Sequence, residues 1–286
     1  MAPPDTEAAW SRAKEQADVT PITSLYHPKI KQARSLHDPD ARRETGSFLA
    51  EGVRLIDEAL ASGLRCDGFF YTDALAKRPP GRQLLDRARQ AKAPLLEVSE
   101  KVFSALKETK TPQGAVGLFR QPQWPQPWET PLRSGLVVVA CQLRDPGNLG
   151  TIIRMSEAAG ARGLLLEKGT VEPFHPKVLR ASMGSLFRLP VVVEEQVATG
   201  LSGPAQVIAA VAQGGRAPWE VDLTRPTFLL VGQEAAGLPE SLLALATTRV
   251  AIPMAKQVES LNVAVATAML LYELVRQKNR GQRTII

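Results

Sequence analysis

Three polar residues crowd four successive positions just before a long apolar segment: Glu259, Ser260 and Asn262. Serine is a preferred N-cap, so Ser260 is predicted to cap a helix over 260–277. One polar residue is enough for a cap. The others, with Met254 shortly before them, favour a ligand loop at a helix start, where free N–H groups bind polar or anionic groups. An ordinary capped helix over a core is the alternative interpretation.

Two other segments present polar loops in the same way. Residues 136–140 are typical of a buried strand, and they lead through a Pro-Gly turn at 144–148 into a helix that carries Arg154. Residues 227–231 are predicted to form a second strand, which ends in the glycine-rich loop 232–238. Because ligands of open α/β sheets bind outside the carboxyl ends of the strands, the three loops are predicted to meet at one site.

In their order and spacing these segments resemble the three signature motifs of the TrmH-like (SpoU) RNA ribose methyltransferases of the SPOUT class. The motifs are NLGTIIR at 148–154, GQEAAGL at 232–238 and IPMAKQVESLNV at 252–263. A fourth similar run is KVLRASMGSLFRLPV at 177–191. The resemblance covers 135–278. It extends more weakly to 22–120, which looks like the ribosomal-protein-like substrate-binding domain of many members.

The resemblance implies an α/β fold with a mostly parallel sheet, helices on both faces and a deep trefoil knot. The second and third motifs would form the knotted loops, with S-adenosylmethionine bent between them. A homodimer is implied, with each active site completed near the subunit interface. Two departures from the family pattern bear on substrate or cofactor fit. Gln233 stands where a smaller Asn or Ser is usual, and Lys256-Gln257 replaces a loop that often contains glycine.

The resemblance also assigns roles to individual residues. Arg154 matches the catalytic arginine; since a guanidinium stays protonated, its implied role is to grip a phosphate and stabilise a developing alkoxide. The implied catalytic set is completed by Asn148, Glu234, Ser260 and Asn262. The implied cofactor-binding set comprises Gly232, Gln233, Glu234, Gly237, Ile252, Pro253, Met254, Ser260, Leu261 and Asn262. For each, ordinary loop, cap or core packing is the alternative.

Charge is concentrated in the first part of the chain. The net charge is +6, and residues 21–120 hold 17 Lys and Arg against 12 Asp and Glu. A basic face attracts phosphate backbones with little sequence discrimination, although a basic surface without a partner has the same composition. The predicted RNA-binding residues are Lys29, Lys31, Arg34, Arg42 and Arg43 in the first domain and Arg144 and Arg180 in the second.

The pattern along the chain predicts five segments: a disordered tail (1–20), an RNA substrate-binding domain (21–120), a Pro-rich linker (121–134), the methyltransferase domain (135–278) and a mobile tail (279–286). In the first domain, helices are predicted near 27–37, 53–62, 81–91 and 99–107, and strands near 47–51, 67–71, 94–98 and 114–119. In the second, strands are predicted near 136–142, 163–167, 189–193, 206–212, 227–231 and 249–252, alternating with helices, which indicates a mostly parallel sheet.

Other functions are disfavoured by what the sequence lacks. Two cysteines, Cys66 and Cys141, cannot frame a disulfide-rich fold, and they fit a reducing cytoplasm. There is no apolar run of membrane-span length, no nucleotide-binding glycine fingerprint and no clustered metal ligands. The family resemblance therefore implies an enzyme that methylates ribose 2′-hydroxyls, in ribosomal RNA by preference, and its location is predicted to be the cytoplasm. A transfer-RNA enzyme, a non-catalytic ribosome-assembly protein and a Rossmann-type nucleotide enzyme are the alternatives.

Overall fold

The computed structural model describes residues 20–124, 134–201, 203–233, 236–255 and 258–279, with the backbone alone at Thr199. The chain divides into two compact units, Met1–Gln121 and Pro122–Ile286. Most of the two predicted tails and of the predicted linker lies outside the described residues. So do four residues of the second and third motifs, Glu234, Ala235, Lys256 and Gln257.

The first unit is a small α/β domain. Its elements in chain order are α1 (Pro28–Ser35), α2 (Pro39–Thr45), β1 (Ser47–Glu51), α3 (Val53–Ala61), β2 (Cys66–Tyr71), α4 (Asp73–Ala76), α5 (Pro79–Gln90), β3 (Leu95–Glu97), α6 (Glu100–Ser104) and β4 (Ala115–Arg120). The sheet order is β1-β4-β2-β3. β4 runs antiparallel to both neighbours, whereas β2 and β3 are parallel. Buried apolar side chains of β2, β4, α1 and α6 form one core, with Phe70 and Phe103 among its largest members.

Helix α2 was not predicted, because it has no apolar face. Asp38 caps it and Pro39 begins it, while Gly46 at φ 58° ends it. Its one buried residue is Arg42, 2% exposed, whose Nη1 donates to the carbonyl oxygens of Leu36 and His37 at 2.7 and 3.1 Å. A buried guanidinium therefore anchors a helix whose sequence shows no hydrophobic period.

The second unit alternates strands and helices. Its elements are β5 (Leu136–Ala140), α7 (Pro146–Ala158), β6 (Gly163–Glu167), α8 (Pro176–Ser182), β7 (Val191–Glu194), α9 (Val197–Gly200), β8 (Gln206–Ala210), β9 (Thr227–Val231), α10 (Glu240–Leu243), β10 (Thr248–Val250) and α11 (Val263–Lys278). Two 3₁₀ turns lie at Ser185–Phe187 and Pro218–Glu220.

The six strands of this unit form one parallel sheet in the order β10-β8-β9-β5-β6-β7. Every residue of β5 and β9 is buried, as expected for central strands covered on both faces. The predicted α/β class with a parallel sheet is confirmed. From β5 the chain proceeds outward to β6 and β7, then crosses to the other side. The strand order thus reverses beside β5, where ligand crevices form at the carboxyl edge.

Two helix starts differ from the prediction. Helix α7 begins at Pro146, inside the segment predicted to be a turn, because the Asp145 carboxylate accepts a hydrogen bond from the Asn148 amide at 2.8 Å. Helix α11 begins at Val263 and is capped by Asn262. Ser260 is therefore not the cap, and the residue two positions later takes that role.

Helices α7 and α8 touch backbone to backbone. A Cβ built on Gly150 of α7 would lie 2.5 Å from the Ala181 Cβ and 2.8 Å from the Val178 carbonyl oxygen. Only glycine allows this approach. Within the described part of the chain, no helix is both long and apolar enough to cross a membrane.

Candidate active site

A pocket of about 240 Å³ opens at the carboxyl ends of β8, β9 and β10. Its walls are mostly apolar, and backbone groups at the strand ends supply polar contacts. On one side lies the loop after β9 and on the other the chain from β10 to the start of α11. The residues that line it in this second segment are Ile252, Met254, Ser260, Leu261 and Val263.

The loop after β9 is folded tightly onto itself. The amide of Gly237 donates to the Gln233 carbonyl oxygen at 2.7 Å, and Gly237 adopts φ 68°. A Cβ on Gly232 would lie 2.2 Å from the Gly237 carbonyl oxygen. Since that neighbour is backbone, it has no freedom to move aside, and position 232 requires glycine to keep this wall of the pocket.

The end of β10 is held by a short extra pairing. Arg216 bridges Val250 in parallel, with its amide donating to the Arg249 carbonyl and its carbonyl accepting from the Ala251 amide, both at 2.9 Å. Gly215 makes the approach feasible, because a Cβ there would lie 2.5 Å from the Ala251 nitrogen. The backbone that leads to Ile252 is thereby held by two hydrogen bonds.

Asn262 joins the third motif to the first. Its Oδ1 accepts hydrogen bonds from the Ala264 and Val265 amides at 3.0 and 3.2 Å, which caps α11. Because Oδ1 is committed to the cap, Nδ2 points the other way, and it donates to Oδ1 of Asn148 at 3.0 Å. The sequence nominated both residues. Their direct contact ties the start of α7 to the start of α11.

Arg154 projects from α7 into solvent. It has no hydrogen-bond or ion-pair partner among the described residues, and it does not line the pocket. The apolar anchors of α7 lie on its other side, where Leu149, Ile152 and Ile153 are fully buried. The guanidinium is thus presented for an external partner and is not used to build this chain's own fold.

Most of the nominated cofactor residues reach the pocket. Its lining includes Gly232, Gln233, Gly237, Ile252, Met254, Ser260 and Leu261. Pro253 and Asn262 do not line it; Asn262 lies instead at the helix cap described above. Glu234 lies outside the described residues.

The sequence missed one wall of the pocket. Ala210, Val211 and Ala212, at the end of β8, line it together with Ala266 and Leu270 of α11. These side chains are small or apolar, so they carry no chemical signal. Their place in the pocket could still have been predicted from the position of β8, because the carboxyl end of this predicted strand lies at the same edge of the sheet as the motif loops.

The nominated RNA-binding cations differ in their availability. Arg42 is a correction: its guanidinium is buried under α2, so it is unavailable to a phosphate. The others are exposed or partly exposed: Lys29, Lys31, Arg34, Arg43, Arg144 and Arg180. Some have local partners. Lys31 lies over the Tyr26 ring at 5.6 Å, and Arg43 pairs with Asp40.

Neither cysteine is a candidate nucleophile. Cys141 is fully buried, and burial raises the pKa of its thiol to about 12. Burial likewise raises the pKa of Cys66 to about 11. Both thiols are protonated at neutral pH, and only a thiolate attacks readily. Among the described residues no three His, Cys, Asp or Glu side chains come together to hold a metal ion.

A parallel sheet with an apolar pocket at the carboxyl ends of β8, β9 and β10 is typical of an α/β enzyme domain that binds a nucleotide-like ligand. The SpoU rRNA Methylase family matches residues 135–272, and the MRM3-like substrate binding domain matches residues 27–117. The crystal structure of an AdoMet-bound rRNA methyltransferase from Sinorhizobium meliloti superposes with a TM-score of 0.78. That chain is 35% identical, over 91% of this chain and 98% of its own.

Curated relatives agree over nearly the whole length. An uncharacterized tRNA/rRNA methyltransferase of Synechocystis sp. is 39% identical over 92% of this chain and 96% of its own. A 23S rRNA (guanosine(2553)-2′-O)-methyltransferase of Bacillus subtilis is 35% identical over 88% and 98%. The chain therefore belongs to the SpoU rRNA methylase family. The family and the enzyme class predicted from the four motifs are confirmed.

Proposed function

We propose that this protein transfers a methyl group from S-adenosylmethionine to a ribose 2′-hydroxyl of ribosomal RNA in the cytoplasm. One observation carries the proposal: the Asn148–Asn262 hydrogen bond joins the first motif to the third beside the pocket formed by the second and third. Independent loops of a merely structural domain have no reason to converge in this way. The Bacillus subtilis relative, a 23S rRNA 2′-O-methyltransferase, supports ribosomal RNA as the substrate.

The pocket fits the adenosyl part of that cofactor. Apolar side chains such as Ile252, Leu261 and Leu238 offer two faces for a planar base. Strand-end backbone around Gly232 offers hydrogen-bonding groups for its edge. When bound, S-adenosylmethionine would supply a methyl group on a positively charged sulfur: the carbon–sulfur bond would break to leave S-adenosylhomocysteine, a carbon–oxygen bond to the ribose would form, and the hydroxyl proton would leave.

Arg154 is the proposed catalytic residue. Its planar guanidinium holds the phosphate next to the target ribose and stabilises negative charge on the 2′-oxygen. The proton passes to that phosphate or to water, since a guanidinium does not accept it. Asn148 orients the ribose, and Asn262 holds Asn148 in place. Glu234 and Ser260 complete the proposed catalytic set, and Ser260 lines the pocket.

We include a homodimer and the family's trefoil knot in the proposal. Helix α11 has two apolar faces. Val263, Leu270 and Leu274 are buried on one of them, whereas the other exposes Tyr272 (70%), Val265 and Met269. This second face borders a groove of about 500 Å³ that also includes Met155 of α7 and exposed Trp219.

A second copy of the chain is the proposed occupant of the groove. Ile252 lines both the groove and the pocket, so an interface there adjoins the cofactor. A partner seated on this face would bring its own α7 close to the pocket. That arrangement gives a role in catalysis to Arg154, which does not line the pocket of its own chain.

The proposal is tested by methylation of defined RNA. The full chain is incubated with S-adenosylmethionine carrying a labelled methyl group and with unmodified 23S ribosomal RNA, or separately with unmodified transfer RNA. Label is expected in ribosomal RNA, on a nucleotide whose 3′-phosphodiester bond resists alkaline hydrolysis. Label confined to transfer RNA would favour that alternative. Binding of both RNA and cofactor without any transfer would favour a non-catalytic assembly role.

The dimer is tested separately. Tyr272→Lys with Met269→Lys should yield monomers in sedimentation experiments, because it places charge on the apolar face. Lys at exposed Thr111, in the first unit, is the control. A double variant that stays dimeric would place the interface elsewhere.

A further inference from the structure

Three basic side chains of the first unit converge on a single buried acid. Asp67 is 8% exposed. One carboxylate oxygen accepts from Nε of Arg65 at 2.8 Å and the other from Nε of Arg120 at 2.6 Å. Its backbone carbonyl accepts from Nζ of Lys29 at 3.1 Å. We call Lys29, Arg65 and Arg120 the Asp67 cluster.

A β-bulge produces this convergence. β2 pairs with β4 through Cys66–Phe119 and Gly68–Leu118, which leaves Asp67 as an extra residue on β2. A bulge frees the local backbone from the regular ladder, so the carbonyl of Asp67 turns to Lys29 while its side chain lies between the two arginines. The cations come from α1, from the residue just before β2 and from the end of β4.

Charge is not balanced in the cluster. One carboxylate faces three cations, which leaves two positive charges in excess. Burial by itself raises the pKa of Asp67, but the hydrogen bonds from Arg120 and Arg65 outweigh it and hold that pKa below its usual range. Because Asp67 stays ionised, it fixes both guanidiniums, yet it neutralises only one of them. Holding like charges together in this way is unfavourable unless a further anion joins them.

The guanidiniums keep donors for such an anion. Arg65 is 76% exposed and uses only Nε on Asp67, so its two terminal nitrogens have no partner among the described residues. Arg120 is 44% exposed and uses Nε on Asp67 and Nη1 on the Thr45 carbonyl oxygen. A terminal guanidinium edge whose position is already fixed matches the oxygens of a phosphate, with little side-chain entropy left to lose.

We propose that the Asp67 cluster is a preorganised phosphate-binding site through which the first unit grips the RNA backbone. The proposal rests on the proposed function, since it takes the RNA substrate as the anion. It assigns to RNA binding two arginines that the charge pattern of the sequence had not selected. Backbone contact predicts affinity that does not depend on base sequence and that falls with salt.

The test compares single-charge variants of the full chain. Arg65→Gln is compared with the control variant Arg54→Gln. Arg54 is an exposed arginine at the start of α3, the helix that follows the last residue of β1, whereas Arg120 pairs with the first residue of β1. Protein-free 23S ribosomal RNA and a polyuridine strand are the probes, in filter binding over a series of salt concentrations. Arg65→Gln should weaken binding to both RNAs by on the order of fivefold and lower the salt slope by about one unit or slightly less.

A second variant separates binding from folding. Arg65→Lys keeps the charge and should recover most of the salt slope, while melting curves show whether either variant harms the first unit. If Arg65→Gln bound RNA like Arg54→Gln, the cluster would be only a scaffold for a buried carboxylate. That result, with normal methyl transfer by the unaltered protein, would overturn this inference alone. Absence of methyl transfer by the unaltered protein would overturn the proposed function.

Discussion

Asn262 performs two tasks with one side chain, and we expect the two to be separable by substitution. Asn262→Ala loses the cap of α11, worth about 1 kcal/mol, and also the hydrogen bond to Asn148, worth about 1 kcal/mol. Asn262→Ser keeps a good cap, but its shorter side chain does not reach Asn148. It should therefore cost only about 1 kcal/mol.

The magnitudes translate into melting temperatures. For a unit of this size, 1 kcal/mol corresponds to roughly 2–4 °C. We expect Asn262→Ala to melt roughly 4–8 °C below the unaltered protein and Asn262→Ser roughly 2–4 °C below it. The assay is calorimetric melting of the full chain, with S-adenosylmethionine titration as the functional readout.

The bridge itself is tested by a double-mutant cycle. Asn148→Ala alone should cost about as much as Asn262→Ser, and combining the two should add little, because the shared hydrogen bond is lost only once. The expected coupling is about 1 kcal/mol. A coupling inside the scatter of independent sites, about 0.3–0.5 kcal/mol, would refute the bridge as a stabilising contact.

Three further predictions concern the site and the first unit. Arg154→Ala should lower methyl transfer by at least roughly a hundredfold with unchanged cofactor affinity, and near-normal turnover would remove Arg154 from catalysis. Gly232→Ala should weaken S-adenosylmethionine binding at least roughly tenfold in calorimetry, because its Cβ would lie 2.2 Å from the Gly237 carbonyl oxygen; unchanged affinity would place the cofactor elsewhere. A hydrogen bond with Glu108 raises the pKa of His37, so this pair stabilises the fold below the imidazole's ordinary pKa of 6.5 and loses that contribution as pH rises through the raised value. His37→Gln should therefore destabilise the protein more at about pH 5.5 than at about pH 8.5 in urea unfolding, and an equal loss at both would contradict the assignment.

The parallel sheet could be predicted because buried strands have a simple signal. The runs at 136–140 and 228–231 are continuously apolar, and both lie in central strands. The formation of such a buried strand depends on the hydrophobicity of several successive residues, so a single residue has little effect on it. The meeting of the three motif loops could then be predicted, because each loop follows the carboxyl end of a parallel strand and these ends share one edge of the sheet.

The choice of helix cap could not be predicted locally. Ser260 and Asn262 are both good capping residues, two positions apart. The residue that caps the helix, Asn262, also donates a hydrogen bond to the side chain of Asn148, which lies 114 residues earlier. Short-range propensity carries no information about a partner that distant.

Buried charge was the second source of error. Arg42 reads as a surface cation, and its neighbour Arg43 is one. The difference arises from two carbonyl groups at the end of α1 that need donors, Leu36 and His37. Such needs become visible only when the backbone path is known.

The contact between α7 and α8 restricts which amino-acid substitutions can be accepted at Gly150 during evolution. Where two side chains meet, a larger residue on one helix can be matched by a smaller one on the other. At Gly150 two of the three nearest atoms, the Val178 carbonyl oxygen and the Ser182 amide nitrogen, are backbone. No substitution on α8 removes them, so the position has no compensating partner. Glycine there should persist in descendants even as the neighbouring Ala181 drifts.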